Sequence, residues 1–375
     1  MKTRQAIVLI AALLGSVCCK TDPVEPTVSF DFSAAVSKYA SLKGTVTVSV
    51  DNPGKATFNV DWGDGIKDSG NGTEFTHKYT TAGKYTVKAN LNSSNEEWGI
   101  EIGSIPALDV AVEDLYNTPG KVWVMAHRSH TTDRDIPENS VSAVRAAIKA
   151  GADVIETDTH RTKDGKVVIS HDESIDKHTN GTGKITGMTL QELQNYNLTD
   201  RNGNVTSEVI PTLEEFLLAA RGKAYVNLDY AHGTASTGDV LRIVESLGML
   251  QEVFMYCSDS KYVNDVFRTN PEANAYTRSE DWKSLLAGPN RYFLQVGWNS
   301  GQNKNSECVI RCQEAYGNGV LCSVNLLNVN HSYIPEYTID SSQLSSLFDL
   351  YPECQMIQTD CPQEMITILK KQGRR

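Results

Sequence analysis

Beyond its first segment the 375-residue chain has no run of about 18 or more apolar residues, so no later stretch is long enough to cross a bilayer as a helix. It also lacks a basic surplus. Its 35 Lys and Arg face 46 Asp and Glu, a net charge of −11, which argues against a nucleic-acid partner held by bulk charge. With 27 Gly, 12 Pro, 40% hydrophobic and 22% charged residues, the composition excludes a disordered tail, a collagen-like fibre and a long coiled coil. Cysteine is missing between Cys19 and Cys257; the other six, Cys257, Cys308, Cys312, Cys322, Cys354 and Cys361, fall in the C-terminal third. Cys308 and Cys312 are spaced one helical turn apart, but no matched Cys/His pair completes a zinc site. They read as small buried residues or one structural bridge.

What is present begins with an address. Met1 to Arg4 is basic, Ala6 to Val17 is apolar but too short to span, and Cys18-Cys19 follows. This is the layout of a cleaved export signal over residues 1–19. A cysteine directly after the apolar run resembles a bacterial lipoprotein signal, with Cys18 or Cys19 as the acylated residue. The expected location is the periplasm or the outer-membrane surface, with the membrane touched only through the lipid.

Two bodies follow a short linker at 20–28; at roughly 150 residues per domain, the length accommodates two domains or a barrel with an appendage. Over 29–115 the text alternates with period two, as in Thr45 to Val50, Thr57 to Val60 and Lys84 to Ala89. Clusters such as Asp51-Asn52-Pro53-Gly54 punctuate it, which argues a β-sandwich. Asp61-Trp62-Gly63-Asp64-Gly65, then His77-Lys78-Tyr79 and Gly83 to Val87, resembles the PKD repeat, an immunoglobulin-like module of cell-surface proteins. That resemblance implies a spacer able to contact surface glycans or protein. Asp61, Asp64 and His77 suit turn and corner hydrogen bonds better than a metal cluster.

From 120 to 375 short apolar runs alternate with helical patterns. The runs are Val122 to Ala126, Val154 to Thr157, Val167 to Ser170, Ala224 to Leu228, Val253 to Tyr256, Asn274 to Tyr276, Tyr292 to Val296 and Val320 to Val324, with Met356 to Thr359 as a ninth candidate. Strand–helix alternation of this length fits a (β/α)₈ barrel of the TIM type within the α/β class. A doubly wound sheet is disfavoured because His127-Arg128-Ser129-His130, not a glycine-rich loop, follows the first strand.

Reactive side chains in such barrels gather where strands end. Strand one is expected to end in His127-Arg128, strand two in Glu156-Thr157-Asp158, strand three in His171-Asp172 and strand four in Asp229. Glu156 and Asp158 are two apart and share a face. Paired carboxylates resist joint ionisation unless a cation lies between them. With Asp229 they form an all-oxygen set suited to Mg²⁺ or Ca²⁺; ordinary salt bridges to Arg128, Arg161 or Lys163 are the plainer alternative. Arg128 can grip phosphate oxygens in a fork, and His127 and His171 are an acid–base pair for a phosphodiester.

These residues carry a family likeness. His127-Arg128, Pro137-Glu138-Asn139-Ser140, Gly151 to Asp158, Thr162 to Gly165, Ser170-His171-Asp172, Thr179 to Gly183, Ile210 to Glu215 and Thr359-Asp360-Cys361-Pro362 resemble, in series, a glycerophosphodiester phosphodiesterase. The resemblance implies a barrel that cleaves glycerophosphodiesters to glycerol 3-phosphate and an alcohol with a divalent cation. It implies catalysis by His127 and His171, metal binding by Glu156, Asp158 and Asp229, and phosphate binding by Arg128. It further implies attack by the substrate's own hydroxyl, followed by hydrolysis of a cyclic phosphate. Glu138 is expected behind these residues or on the substrate.

Several positions depart from that pattern. Ser129 replaces a glycine, and Asp229-Tyr230-Ala231 replaces Glu-x-Lys, so one carboxylate is shorter and a cation is gone. Cys322-Ser323-Val324-Asn325 lacks an aromatic, read as one wall of the substrate cleft, for which Trp298 is a substitute. Two rival functions follow: a lyase-type phospholipase C acting on inositol lipids, and a catalytically weak surface protein that binds a phosphorylated ligand.

Overall fold

In the strand Thr45–Val50 the side chains of Val46, Val48 and Val50 are buried while Thr45, Thr47 and Ser49 turn outward. The same alternation builds two facing sheets from Phe30 to Pro106, one of three strands and one of five. Phe58, Val60, Trp62, Tyr79, Val87, Leu91 and Ile100 fill the space between them. The Asp61–Gly65 turn is held by its own side chains. Asp61 accepts from the Gly63 amide at 3.0 Å, Asp64 accepts from the Ile66 amide at 3.1 Å, and His77 pairs with Asp64 at 2.8 Å. Gly63 has φ +82°, and a Cβ there would meet the Thr86 carbonyl oxygen at 2.5 Å, so glycine is required.

The computed structural model describes residues 28–229, 233–288, 291–297, 302–327 and 341–375. The expected signal segment 1–19 with Cys18 and Cys19, the departures at Tyr230 and Ala231, and Trp298 lie outside the described residues. Among the described residues, no helix is long and apolar enough to cross a membrane.

The second body is a closed parallel barrel. Its strands are Trp123–Ala126, Val154–Arg161, Tyr225–Asp229, Val253–Cys257, Asn274–Arg278, Arg291–Gly297, Leu321–Asn325 and Cys354–Thr359. The eighth pairs back onto the first, from Met356 opposite Trp123 to Thr359 opposite Ala126. Helices cover the outside, and their ends follow local rules. Ser140 caps Val141–Ala150 by accepting from the Ala143 amide, and Gly151 ends that helix with φ +97°. Thr212 and Glu215 form a capping box at the start of Leu213–Ala220.

The bottom of the barrel is stopped by the helix Leu108–Tyr116. Leu108, Ala111, Val112 and Leu115 pack against Trp123, Met125, Val154, Tyr225, Phe254, Tyr276, Phe293, Leu321 and Met356, which come from all eight strands. Burying each large side chain there contributes about 1.5–3 kcal/mol. The sandwich docks at the same end. Buried Glu252 accepts from the hydroxyls of Tyr39 and Ser41 and from the Gly222 amide. A Cβ on Gly103 would stand 3.0 Å from the Cα of Gly222, so glycine lets the two backbones meet.

One element departs from the expected order. Val167–Ile169 is not a barrel strand; it pairs antiparallel with Thr159–Arg161, where the second strand runs on past the barrel. The Asp164-Gly165 turn, with Gly165 at φ +82°, folds it back. Met356 to Thr359 therefore lies in the eighth strand, not a ninth. His171 lies on a loop after this hairpin, above a satellite core of Val168, Ile175, Ile185, Leu193, Leu198 and Ile210.

Candidate active site

The mouth of the barrel is built where Trp123–Ala126 turns into the single helical turn His127–Ser129. Arg128 and Ser129 take left-handed backbone, φ +49° and +60°. Glycine at Ser129 would remove a steric cost of about 1–2 kcal/mol. This is the position where the sequence departs from the family's glycine. The Ser129 side chain is wholly buried and its hydroxyl has no hydrogen-bond partner. The turn aims the Arg128 amide at Glu156 Oε2, 2.8 Å away, and its guanidinium at Glu138, 3.2 Å away.

Glu156 and Asp158 occupy alternate positions of the second strand, and Asp158 stands opposite Asp229 in register on the third. Ligand atoms of all three carboxylates lie within 4.8 Å of one another, so the shorter Asp229 still reaches the cluster. Burial, then the charges of Glu156 and Asp229, pushes the Asp158 carboxyl well above its usual range. Asp158 Oδ2 is buried without a hydrogen-bond partner, as is Oδ1 of Asn227, the residue opposite Glu156. A divalent cation would satisfy these oxygens and relieve the repulsion, so the donor set fits a hard metal ion. Of the three cations in the salt-bridge alternative, Arg161 pairs with Asp239 and the Arg128 side chain hydrogen-bonds Glu138.

Each histidine of the expected pair has its own carboxylate. His127 Nδ1 lies 2.6 Å from Asp360 Oδ1, and its Nε2 lies 3.9 Å from Glu156. His171 Nδ1 lies 2.8 Å from Asp172. Burial, then the charge of Arg128, lowers the His171 pKa to about 4, with Asp172 pulling the other way. His127 also contributes to that lowering, which places both imidazoles in one electrostatic field. His178 sits between the two halves, 3.7 Å from Glu138 and 3.7 Å from Asp172.

Asp360, His130, Asp172 and His178 have no role in the sequence reading. Asp360 directly follows the last barrel strand, much as Asp229 ends its own, a signal that could have singled it out. His130 carries no such signal. The barrel wall also corrects the reading of Cys322. Its side chain points outward into the helix layer, 3.2 Å from Cys312, so an aromatic at that position would not face the cleft. The neighbouring Ser323 instead accepts from the Tyr276 hydroxyl inside the barrel at 2.8 Å. Cys257, Cys308, Cys312, Cys322, Cys354 and Cys361 are all free.

An eight-stranded α/β barrel whose mouth joins three carboxylates, an arginine and two carboxylate-backed histidines defines a class of barrel with a polar, metal-fitting site. Residues 127–271, within the barrel, match the Glycerophosphoryl diester phosphodiesterase family. The glycerophosphodiester phosphodiesterase of Caldanaerobacter subterraneus subsp. tengcongensis is 38% identical over 115 residues, 30% of this chain and 46% of that protein. Human glycerophosphodiester phosphodiesterase 1 is 35% identical over 98 residues, 25% of this chain and 29% of that protein. The chain thus aligns with less than half the length of these two relatives. Among solved structures, a glycerophosphoryl diester phosphodiesterase from Parabacteroides distasonis superposes with a TM-score of 0.58 at 21% identity, covering 70% of this chain and 92% of that one. An Oleispira antarctica phosphodiesterase in complex with the product sn-glycerol-3-phosphate gives 0.52 at 19% identity, covering 68% and 99%. Both share the barrel fold.

Proposed function

We propose that this chain hydrolyses glycerophosphodiesters, or similar small polar phosphodiesters, to glycerol 3-phosphate and an alcohol. The observation that carries the reading is the joining, at one mouth, of the Glu156–Asp158–Asp229 cluster with Arg128 and with two imidazoles that are each anchored on a carboxylate. The family match and the names of the relatives support the substrate class.

Glu156, Asp158 and Asp229 would hold a divalent cation, Ca²⁺ or Mg²⁺, which would supply charge neutralisation at the phosphoryl group and an adjacent hydroxyl. The Arg128 guanidinium binds the diester's oxygens. Asp172 occupies His171 Nδ1, so proton transfer there falls to Nε2. His171 is neutral at neutral pH and takes the proton from the glycerol hydroxyl that attacks phosphorus. The bond from phosphorus to the leaving alcohol breaks, and the alcohol departs with a proton from His127, which Asp360 orients through Nδ1. Water then opens the cyclic phosphate with the two histidines in exchanged roles.

Glycerol 3-phosphate release, measured over several glycerophosphodiesters with each metal and with chelator, tests this reading. No release from any of them defeats it, and lasting accumulation of cyclic phosphate by phosphorus NMR turns it into the lyase. We further infer export as a lipoprotein from Met1 to Cys19, with the PKD-like sandwich as a spacer. Mass spectrometry of the mature N-terminus decides that part.

A further inference from the structure

We propose that His130 is a positioning residue that ties the proton-transfer half of the site to its phosphate-binding half, holding Asp360 on His127 through one ring nitrogen and Glu138 on Arg128 through the other. The inference rests on the hydrolase reading above and extends it to a residue outside the acid–base pair.

The ring of His130 is 3% exposed and is clamped end to end. Nδ1 lies 2.9 Å from Asp360 Oδ1, and Nε2 lies 3.0 Å from Glu138 Oε2. A carboxylate oxygen only accepts, so the ring donates at both nitrogens. Asp360 Oδ1 is the same oxygen that meets His127 Nδ1, and Glu138 offers its other oxygen to Arg128. The result is one unbroken row: Arg128, Glu138, His130, Asp360, His127. The backbone fixes its spacing, because the His130 amide donates to the His127 carbonyl at 2.8 Å and the two rings meet edge to face at 5.8 Å. Burial pulls the His130 pKa down, but the hydrogen bonds to Asp360 and Glu138 outweigh it and leave it raised.

The row divides charge between two tasks. With His130 donating to Glu138, that carboxylate is shared, and the Arg128 guanidinium keeps attraction for a diester. Without His130, Glu138 turns wholly on Arg128 and competes with the substrate. With His130 donating to Asp360, the shared oxygen is fixed where His127 needs it. Without it, Asp360 can rotate and His127 loses its orientation.

Two substitutions separate these effects, because an asparagine amide reaches about as far as Nδ1 and a glutamine amide about as far as Nε2. H130N should keep Asp360 in place and raise KM about tenfold with kcat within about threefold. H130Q should keep Glu138 and lower kcat about tenfold with a smaller change in KM. Equal changes in kcat and KM for the two variants, or none in either, would overturn the proposal. Imidazole ¹⁵N spectra of the wild-type protein, with the His130 signals assigned by their loss in whichever of H130N and H130Q keeps the other histidine signals in place, give a readout that does not depend on turnover. Two protonated nitrogens at pH 7.5 support the clamp, and a neutral tautomer overturns it. Should the wild-type protein release no glycerol 3-phosphate, the hydrolase reading fails separately and the spectrum alone decides on His130.

Discussion

Asp360 and His127, 233 residues apart in sequence, meet at 2.6 Å because the last barrel strand closes against the first. Burial pushes the Asp360 carboxyl up, but its hydrogen bonds with His127 and His130 more than reverse that and hold it below the usual carboxylate range. Asp360→Asn keeps the shape and removes the charge that fixes the His127 tautomer. It should lower kcat about 10²–10⁴-fold with little change in KM, measured by steady-state release of glycerol 3-phosphate. Near-normal kcat would detach Asp360 from His127's work.

The carboxylate cluster predicts opposite effects on stability and metal binding. In the metal-free protein Asp158 has a raised pKa, so its contribution to stability is complete below the unfolded carboxylate range and is lost as pH rises through the folded value. Asp158→Asn removes that penalty. The variant should melt at higher temperature than the metal-free wild type at pH 7, yet gain no stability from Ca²⁺ or Mg²⁺. Scanning calorimetry with and without chelator reads both. A variant that still gains stability from the ions would remove Asp158 from the ligand set.

His171 sets a pH expectation. Its folded pKa, about 4, lies below the ordinary histidine value, so its neutral form persists well under pH 6.5. The acid limb of kcat/KM should lie correspondingly low. The same shift makes its contribution to stability present above pH 6.5 and lost as pH falls toward 4. Asp172 raises the His171 value, so Asp172→Asn should move the limb further down and reduce kcat. A limb at 6.5, or one that rises in the variant, contradicts the assignment.

Ser129 offers a test of backbone strain. Its φ of +60° suits glycine, and its hydroxyl gains nothing in hydrogen bonds. Ser129→Gly should remove about 1–2 kcal/mol of local strain. The greater freedom of glycine in the unfolded chain returns part of that. A higher denaturant midpoint at unchanged slope would show the gain; a loss would mean that the serine's packing outweighs the strain.

Much of this molecule is legible in its sequence. Period-two text gives the valines of Thr45–Val50, and polar residues closing apolar runs give His127, Glu156, Asp158 and Asp229. The miscount at Val167–Ile169 has a plain cause. A three-residue apolar run looks the same in a hairpin as in a barrel, and only the Asp164-Gly165 turn distinguishes them. Leu108–Tyr116 has the spacing of an amphipathic helix, but its partner face is assembled from eight separated strands, which local pattern cannot reveal. His130 is hidden for a similar reason, since both its carboxylates reach it through tertiary closure or a loop.

The stopper helix also dictates which way the barrel mouth looks. Because Leu108–Tyr116 and the Glu252 contacts seat the sandwich at the amino ends of the strands, the reactive mouth opens at the opposite pole. A tether acting through the sandwich would thus hold the molecule by its base and turn its working face outward, toward diesters arriving from the surroundings.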